Sequence, residues 1–374
     1  MSRAPIYCDY NAGAPVRPQA AEAVARALAM GGNPSSVHGV GRAARASMEE
    51  AREHVANAVG ARAENVVFTS GATEALHLAL ASAHAKSMIL SAVEHDALYE
   101  QAMRARSDAI IAPVKADGAI DLSELESILR AAPRAALIAA QLANNETGIV
   151  QPIAKIAALA RQYGALLLVD AAQALGRIPL DIADLDATYL VLSSHKIGGP
   201  PGAGALVLAP GAPFTTTRFG GGQERGRRPG TENAAAYAGF GVAAQLAAHD
   251  QTTETKRLAA LRDRFEAGLP RDAVVFGKNA SRLPNTSNFA LPGLAAETAV
   301  IAMDLEGVCV SSGAACSSGK VRTSRVLAAM GVAPDLAKCA LRVSFGWASS
   351  EAHVDAALAA LTKITARRAL AGAA

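Results

Sequence analysis

From Val66 onward the chain alternates short apolar runs with amphipathic stretches. Such alternation is the signature of a parallel sheet covered by helices on both faces. The runs at 66–68, 88–91, 109–112, 136–141, 166–169, 189–192 and 205–208 are the candidate strands. Upstream, 1–14 reads as a short strand and a turn, 18–30 as a helix broken by Gly31-Gly32-Asn33-Pro34, and a second, long helix runs to about Val59. The pattern changes near Asp250. A charged helix over 254–267 reads as a linker into a second domain, with strands near 274–276, 287–291 and 308–311 and helices near 297–305, 324–330 and 352–366. The expected fold class is α/β: a large domain over 15–250 with a mostly parallel seven-stranded sheet, and a smaller α+β domain from 1–14 and 251–374.

Length agrees with two units, since 374 residues are too many for one simple core. With 51% hydrophobic and 18% charged residues the chain has the composition of a compact enzyme. Its net charge of +3 is spread along the sequence, so nucleic acid is not expected as a primary ligand. The N-terminus has no apolar signal-like core and no apolar run is long enough to span a bilayer, which points to a cytoplasmic protein without a membrane partner. Cys8, Cys309, Cys316 and Cys339 show no CxxC spacing and no accompanying His pair, so no metal site and no disulfide framework is expected.

Ligands of such sheets collect outside the carboxyl ends of the strands, so each end is searched for chemistry. The first run ends in Thr69-Ser70-Gly71-Ala72-Thr73-Glu74, a glycine turn opening a helix whose free N–H groups suit a phosphate, although an ordinary N-cap explains it equally well. The second ends in Glu94-His95, where a lone histidine is more often structural. The fourth ends in Asn144-Asn145-Glu146, amides able to donate to a carboxylate or simply to cap a turn. After Leu166-Leu167-Leu168-Val169, the Asp170 carboxylate is too costly to bury without a cation, which is either an arginine or a protonated ring nitrogen of a ligand. Lys196 follows Ser193-Ser194-His195 at the end of the sixth run. A lysine desolvated there can form a Schiff base with an aldehyde, whereas a lysine taken alone is usually a solvated loop residue. The stretch Gly220-Gly221-Gly222-Gln223-Glu224-Arg225-Gly226-Arg227-Arg228 lacks a following GK[ST], so it is no P-loop, but it suits a phosphate or a subunit contact. Cys316 sits among Gly, Ala and Ser with little apolar cover, unlike Cys309 and Cys339, which fit a buried role.

Taken in order, Asn33-Pro34-Ser35-Ser36-Val37-His38, Ser70-Gly71-Ala72-Thr73-Glu74, Glu94-His95, Asn144-Asn145-Glu146, Val169-Asp170-Ala171-Ala172-Gln173, Ser193-Ser194-His195-Lys196, Arg225 through Asn233 and Ser311-Ser312-Gly313-Ala314-Ala315-Cys316 resemble the pyridoxal-phosphate-dependent cysteine desulfurases of the NifS and IscS type. The resemblance runs over nearly the whole chain. It implies the aspartate-aminotransferase-like fold type I of the class V aminotransferases and pyridoxal 5'-phosphate (PLP) as cofactor. Lys196 would carry the cofactor, Asp170 pair with its pyridinium nitrogen, Gln173 bond its ring hydroxyl and His95 stack on the ring. Gly71, Ala72, Thr73, Ser193 and His195 would hold the phosphate, with Thr231 supplied by the other subunit of a homodimer. Asn145 and Arg342 would hold the carboxylate of L-cysteine. Cys316 would accept its sulfur as a persulfide, leaving L-alanine, and pass the sulfur to an acceptor such as an iron–sulfur scaffold or a thiolation system.

Four positions depart from the family pattern: Gly13-Ala14 where a threonine pair is usual, Ser194 for glycine or alanine, and Pro201 for a frequent lysine. Two other readings compete. A PLP aminotransferase or selenocysteine lyase of the same fold would make Cys316 incidental, and a silent scaffold that only binds partners would need none of Lys196, Asp170, His95 and Cys316 together.

Overall fold

The computed structural model describes residues 5–105, 108–133, 135–313 and 324–372. Its strands are β1 (Ile6–Tyr7), β2 (Val66–Thr69), β3 (Ser87–Ser91), β4 (Ile110–Ala112), β5 (Ala136–Gln141), β6 (Leu166–Asp170), β7 (Tyr189–Ser193), β8 (Gly204–Leu208), β9 (Val274–Val275), β10 (Thr286–Ala290), β11 (Val308–Cys309), β12 (Ser311–Ser312) and β13 (Ala340–Ser344). The helices are α1 (Pro18–Met30), α2 (Gly39–Asn57), α3 (Ala72–Ser82), α4 (Asp96–Ala105), α5 (Leu122–Ala131), α6 (Ile153–Tyr163), α7 (Ala234–Ala267), α8 (Ala296–Leu305), α9 (Arg325–Ala329), α10 (Pro334–Ala337) and α11 (Glu351–Gly372).

The seven apolar runs form one sheet, in the order β2-β8-β7-β6-β5-β3-β4. Neighbours from β7 through β4 are parallel, and β8 alone runs against both β7 and β2. The runs are continuously apolar because both faces are covered. Along β7, Leu190 and Leu192 join one core and Tyr189 and Val191 the other, as a period of two requires. Local signals start and stop the covering helices. Pro18 occupies the first turn of α1, the Asp121 carboxylate caps Ser123 and Glu124 N–H at the start of α5, and left-handed Gly164 ends α6.

A four-stranded antiparallel sheet, β12-β13-β10-β9, lies beside a parallel β1–β11 pair. Its core holds Phe265, Phe289 and Phe345 in edge contacts at 5.5 and 6.1 Å, closed by Val354, Ala357 and Leu361 of α11 and Met303 of α8.

Three details differ from the sequence reading. The charged stretch at 254–267 is the second half of α7, which runs unbroken from Ala234. The glycines of its first half are contact points rather than breaks: a Cβ on Gly241 would lie 2.5 Å from Ala51 Cα of α2, and one on Gly239 2.6 Å from Val24 of α1. The expected strand at 308–311 is two strands in two sheets, β11 pairing with β1 and β12 with β13. Finally β13 carries a fully buried arginine, Arg342, whose charge hides the strand in a hydrophobicity pattern.

Candidate active site

The carboxyl ends of the parallel strands open on a cavity of about 410 Å³. Gly71, Ala72, Thr73, His95, Asn145, Asp170, Gln173, Ser193, His195 and Lys196 all line it. These residues come from separate strand ends, so their meeting follows from the order of strands in the sheet.

Lys196 is placed by a tight turn. β7 ends at Ser193 and the chain makes one 3-10 turn over Ser194–Lys196, closed by Ile197 and Gly199 N–H donating to Ser194 O at 3.1 and 3.0 Å. Ala14 N–H donates to His195 O at 2.8 Å from the other side. The Lys196 ammonium donates to the carbonyls of Asn11 at 2.5 Å and Ala12 at 3.0 Å. The Gly13-Ala14 departure thus forms the wall behind this turn, where a Cβ on Gly13 would meet His195 Nδ1 at an ordinary 3.4 Å.

Asp170 ends β6, 7% exposed. Its Oδ1 accepts Ala172 N–H at 2.9 Å, and among the described residues no arginine or lysine forms an ion pair with it. Burial pushes its carboxyl above the ordinary value, opposed by the Ala172 N–H, His95 and Lys196. His95 accepts Ala97 N–H on Nδ1 at 3.0 Å at the start of α4, so its neutral ring carries the proton on Nε2. Burial lowers the His95 pKa, with Asp170 opposing and Lys196 reinforcing. For His195 burial, Lys196 and Arg177 act together and bring it down to about 4. Both imidazoles are therefore neutral near pH 7.

At the far end of the cavity lies the N-terminus of α3. Gly204 has no Cβ, and one placed there would lie 2.6 Å from Gly71, so this glycine lets the Gly71 turn close over β8. Glu74, in the first turn, would repel an anion if it were free. Instead its Oε1 meets Arg218 at 2.5 Å and Arg228 at 3.1 Å, and its Oε2 accepts Ser70 N–H at 2.6 Å. Burial alone would raise its pKa, but Arg228 and Ser70 outweigh that and hold it down to about 2. One carboxylate against two guanidiniums leaves this end of the cavity positive, as a phosphate requires.

Two named residues lie elsewhere. Thr231 is exposed and does not line the cavity. Arg342 is 1% exposed, its Nη2 paired with Asp9 at 2.6 Å and its Nη1 donating to Asn145 O at 3.0 Å. Cys316 lies outside the described residues. Cys8 and Cys339 are buried and Cys309 half-buried, and burial raises the Cys8 thiol to about 12. Sequence reasoning passed over Gln141 and Asn11. Gln141 ends β5 and lines the cavity, so the strand-end search could have found it. Asn11 holds Lys196 and Gln173 through its backbone carbonyl, which no residue type announces.

Comparison with known proteins agrees with this geometry. The family model for class V aminotransferases matches residues 6–357. The chain belongs to the class V aminotransferase family. Within it, the chain is 39% identical to a cysteine desulfurase of Bradyrhizobium diazoefficiens, covering 98% of this chain and 96% of that one. It is 36% identical to the cysteine desulfurase IscS of Dictyoglomus turgidum, covering 96% and 94%. Among solved structures, the NifS-like protein of Rickettsia africae superposes with a TM-score of 0.91 at 32% identity, over 96% of this chain and 99% of that one.

Class V membership implies dependence on PLP, and the residues fit it: a buried carboxylate that no arginine or lysine ion-pairs with among the described residues, for the ring nitrogen, a lysine for the aldehyde, and a positive helix N-terminus for the phosphate. Among the described residues no helix is long and apolar enough to cross a membrane, and no group of His, Cys, Asp and Glu is arranged to hold a metal ion.

Proposed function

We propose that this chain is a cysteine desulfurase, converting L-cysteine to L-alanine and holding the released sulfur as a persulfide on Cys316. The observation that carries it is Asp170: a buried carboxylate with no ion-paired arginine or lysine among the described residues, in the same cavity as Lys196 and His95. PLP bound there supplies an electron sink for the pair left when the substrate Cα–H bond breaks.

The chain's own residues do the rest. Lys196 would hold the cofactor covalently through its amine, and the same amine, lining the cavity, would serve as the base for the substrate Cα proton. Asp170 keeps the ring nitrogen protonated. His95, neutral and fixed through Nδ1, would lie against the ring and keep its Nε2–H as a donor. Gly71, Ala72, Thr73, Ser193 and His195 hold the phosphate, and neutral His195 can accept or donate there. Asn145 donates to the substrate carboxylate. Arg342 joins it by exchanging Asp9 for that carboxylate, which is the same kind of partner. Cys316 takes the substrate sulfur.

Two copies complete the site. Thr231 is exposed and away from its own cavity, which suits a residue supplied to a partner's phosphate. Phe219, Val37 and Val40 expose apolar surface of the kind a homodimer covers. Residues 15–250 are the cofactor-binding domain, and 1–14 with 251–374 the smaller one that carries Cys316. In support, the two cores on the large sheet draw on residues between Ala20 and Ala247, and the phenylalanine core on Ile6, Cys8 and residues from Leu258 onward. The sulfur goes to an acceptor protein of the cytoplasm, such as an iron–sulfur scaffold.

The test is incubation with L-cysteine and a reductant, assaying alanine and sulfide, with mass spectrometry of the peptide containing Cys316 for one added sulfur. Cys316→Ala is expected to bind cofactor and cysteine but release almost no alanine, while Cys309→Ala and Cys339→Ala keep substantial turnover. A keto acid with an aminated cofactor, or full turnover by Cys316→Ala, would overturn the reading.

A further inference from the structure

Arg177 is buried, 6% exposed, directly behind the cavity. Among the described residues no carboxylate forms an ion pair with it. Its Nη1 donates to Gln173 O at 3.0 Å and closely to Gln173 Oε1, and its Nη2 to Tyr10 O at 3.3 Å and Lys196 O at 3.4 Å. Every partner is a neutral oxygen. Burial, with Arg342 adding to it, lowers the Arg177 pKa to about 9, so the guanidinium is still charged at neutral pH. Burying a cation this way costs free energy that a leucine or methionine would not, and its acceptors belong to two residues that line the cavity and a third beside it.

The donors and acceptors decide what this arrangement does. Guanidinium only donates, so the Gln173 atom facing it is Oε1; a carbonyl only accepts, so the atom facing Asn11 O at 3.0 Å is Nε2. The amide has one orientation left. One Nε2 hydrogen goes to Asn11 O, and the other remains for the cavity, which Gln173 lines beside Asp170 and Lys196.

We propose that Arg177 is a positioning residue, which locks the Gln173 amide so that its free Nε2–H is presented to the ring oxygen of the bound cofactor. This rests on the PLP reading of the cavity above. Arg177 touches neither cofactor nor substrate. It acts through Gln173, and the contacts to Tyr10 and Lys196 tie the same lock to the β1 turn and the lysine turn.

The experiment uses purified holoenzyme and follows the cofactor's visible absorption band against pH, together with the cofactor dissociation constant. His95, Asp170, His195 and Lys196 are unchanged throughout, so their charges are common to all samples. Gln173→Leu and Arg177→Met are each expected to move the band's midpoint upward by about half a pH unit or more and to weaken cofactor binding. The double variant is expected to match Gln173→Leu alone, because Arg177 has nothing left to orient. Arg177→Gln, whose amide accepts as well as donates, no longer dictates the Gln173 orientation and gives the same upward shift; it decides the matter if Arg177→Met does not fold. A midpoint unmoved in the Arg177 variants, or shifts that sum in the double variant, overturns the proposal. A wild-type enzyme with no visible band overturns the PLP reading itself, a different result from a wild-type band that ignores Arg177.

Discussion

Asp170 and Glu224 are carboxylates of nearly equal burial, 7% and 6% exposed, and the protein treats them in opposite ways. Glu224 is closed by the chain itself. Arg52 meets both its oxygens, at 2.6 and 2.9 Å, Phe68 N–H donates at 2.8 Å, and the Arg52 guanidinium lies 4.7 Å above the Phe68 ring. That grip also holds Glu224 and Arg225 at φ of 49° and 58°, a left-handed pair that neither residue type favours. Asp170 receives one backbone N–H, and among the described residues no arginine or lysine is ion-paired with it. A buried charge neutralised from within is architecture; one left open in a cavity is a place for a ligand's charge.

Removing the lysine from the open site should have the largest effect. Lys196→Ala is expected to lose activity on the order of 10⁴-fold, and borohydride should fix the cofactor to Lys196 alone in the wild type. Label on Lys338 or Lys320 would mean that the cavity does not bind the aldehyde.

On the closed side the expected loss is in stability. Glu224→Ala leaves Arg52 only its half-exposed partner Glu49, at 3.1 Å, and should cost about 3 kcal/mol in denaturant unfolding, while the refolded enzyme keeps its visible band. A loss of less than about 1 kcal/mol would remove the distinction between the two carboxylates.

Asp170→Asn should show the reverse. Stability should hold or rise, since an amide is cheaper to bury, while turnover falls by about 3 kcal/mol, roughly 100-fold. Near-normal turnover would show that no ring nitrogen needs this charge.

Glu146 lies between the two cases and predicts the smallest effect. It is buried, accepts a hydroxyl hydrogen bond from Ser324, and is raised from 4.5 to about 7 by burial, with Ser324, Arg342 and Arg325 opposing. Its folded value exceeds the unfolded one, so its contribution to stability is complete below about pH 4.5 and is lost as pH rises through about 7. Glu146→Gln cannot ionise and should therefore gain on the wild type by about 2–3 kcal/mol between about pH 5 and pH 8.5, read from paired unfolding curves. A difference independent of pH would show that Glu146 is already ionised in the folded protein.

By itself the sequence determined the strands of the large sheet to within a residue or two at each end. Runs such as Leu166–Asp170 and Tyr189–Ser193 are buried on both faces, and that alone writes them as continuous aliphatics. It also determined most of the cavity wall, because the ends of parallel strands are where a sheet gathers ligand-binding groups, and Gly71, His95, Asp170 and Lys196 each follow a readable run. Tertiary structure alone decided which charges are neutralised. Arg52 meets Glu224 across 172 residues, Arg342 meets Asp9 across 333, and Arg177 meets the carbonyls of Tyr10 and Lys196, so none of these has a local pattern to announce it. It decided β13 as well, since a strand interrupted by arginine becomes a core strand only when a carboxylate from the other end of the chain arrives beside it. Periodicity reports how a residue faces its own element, whereas the partner of a buried charge depends on long-range packing that the local pattern does not carry.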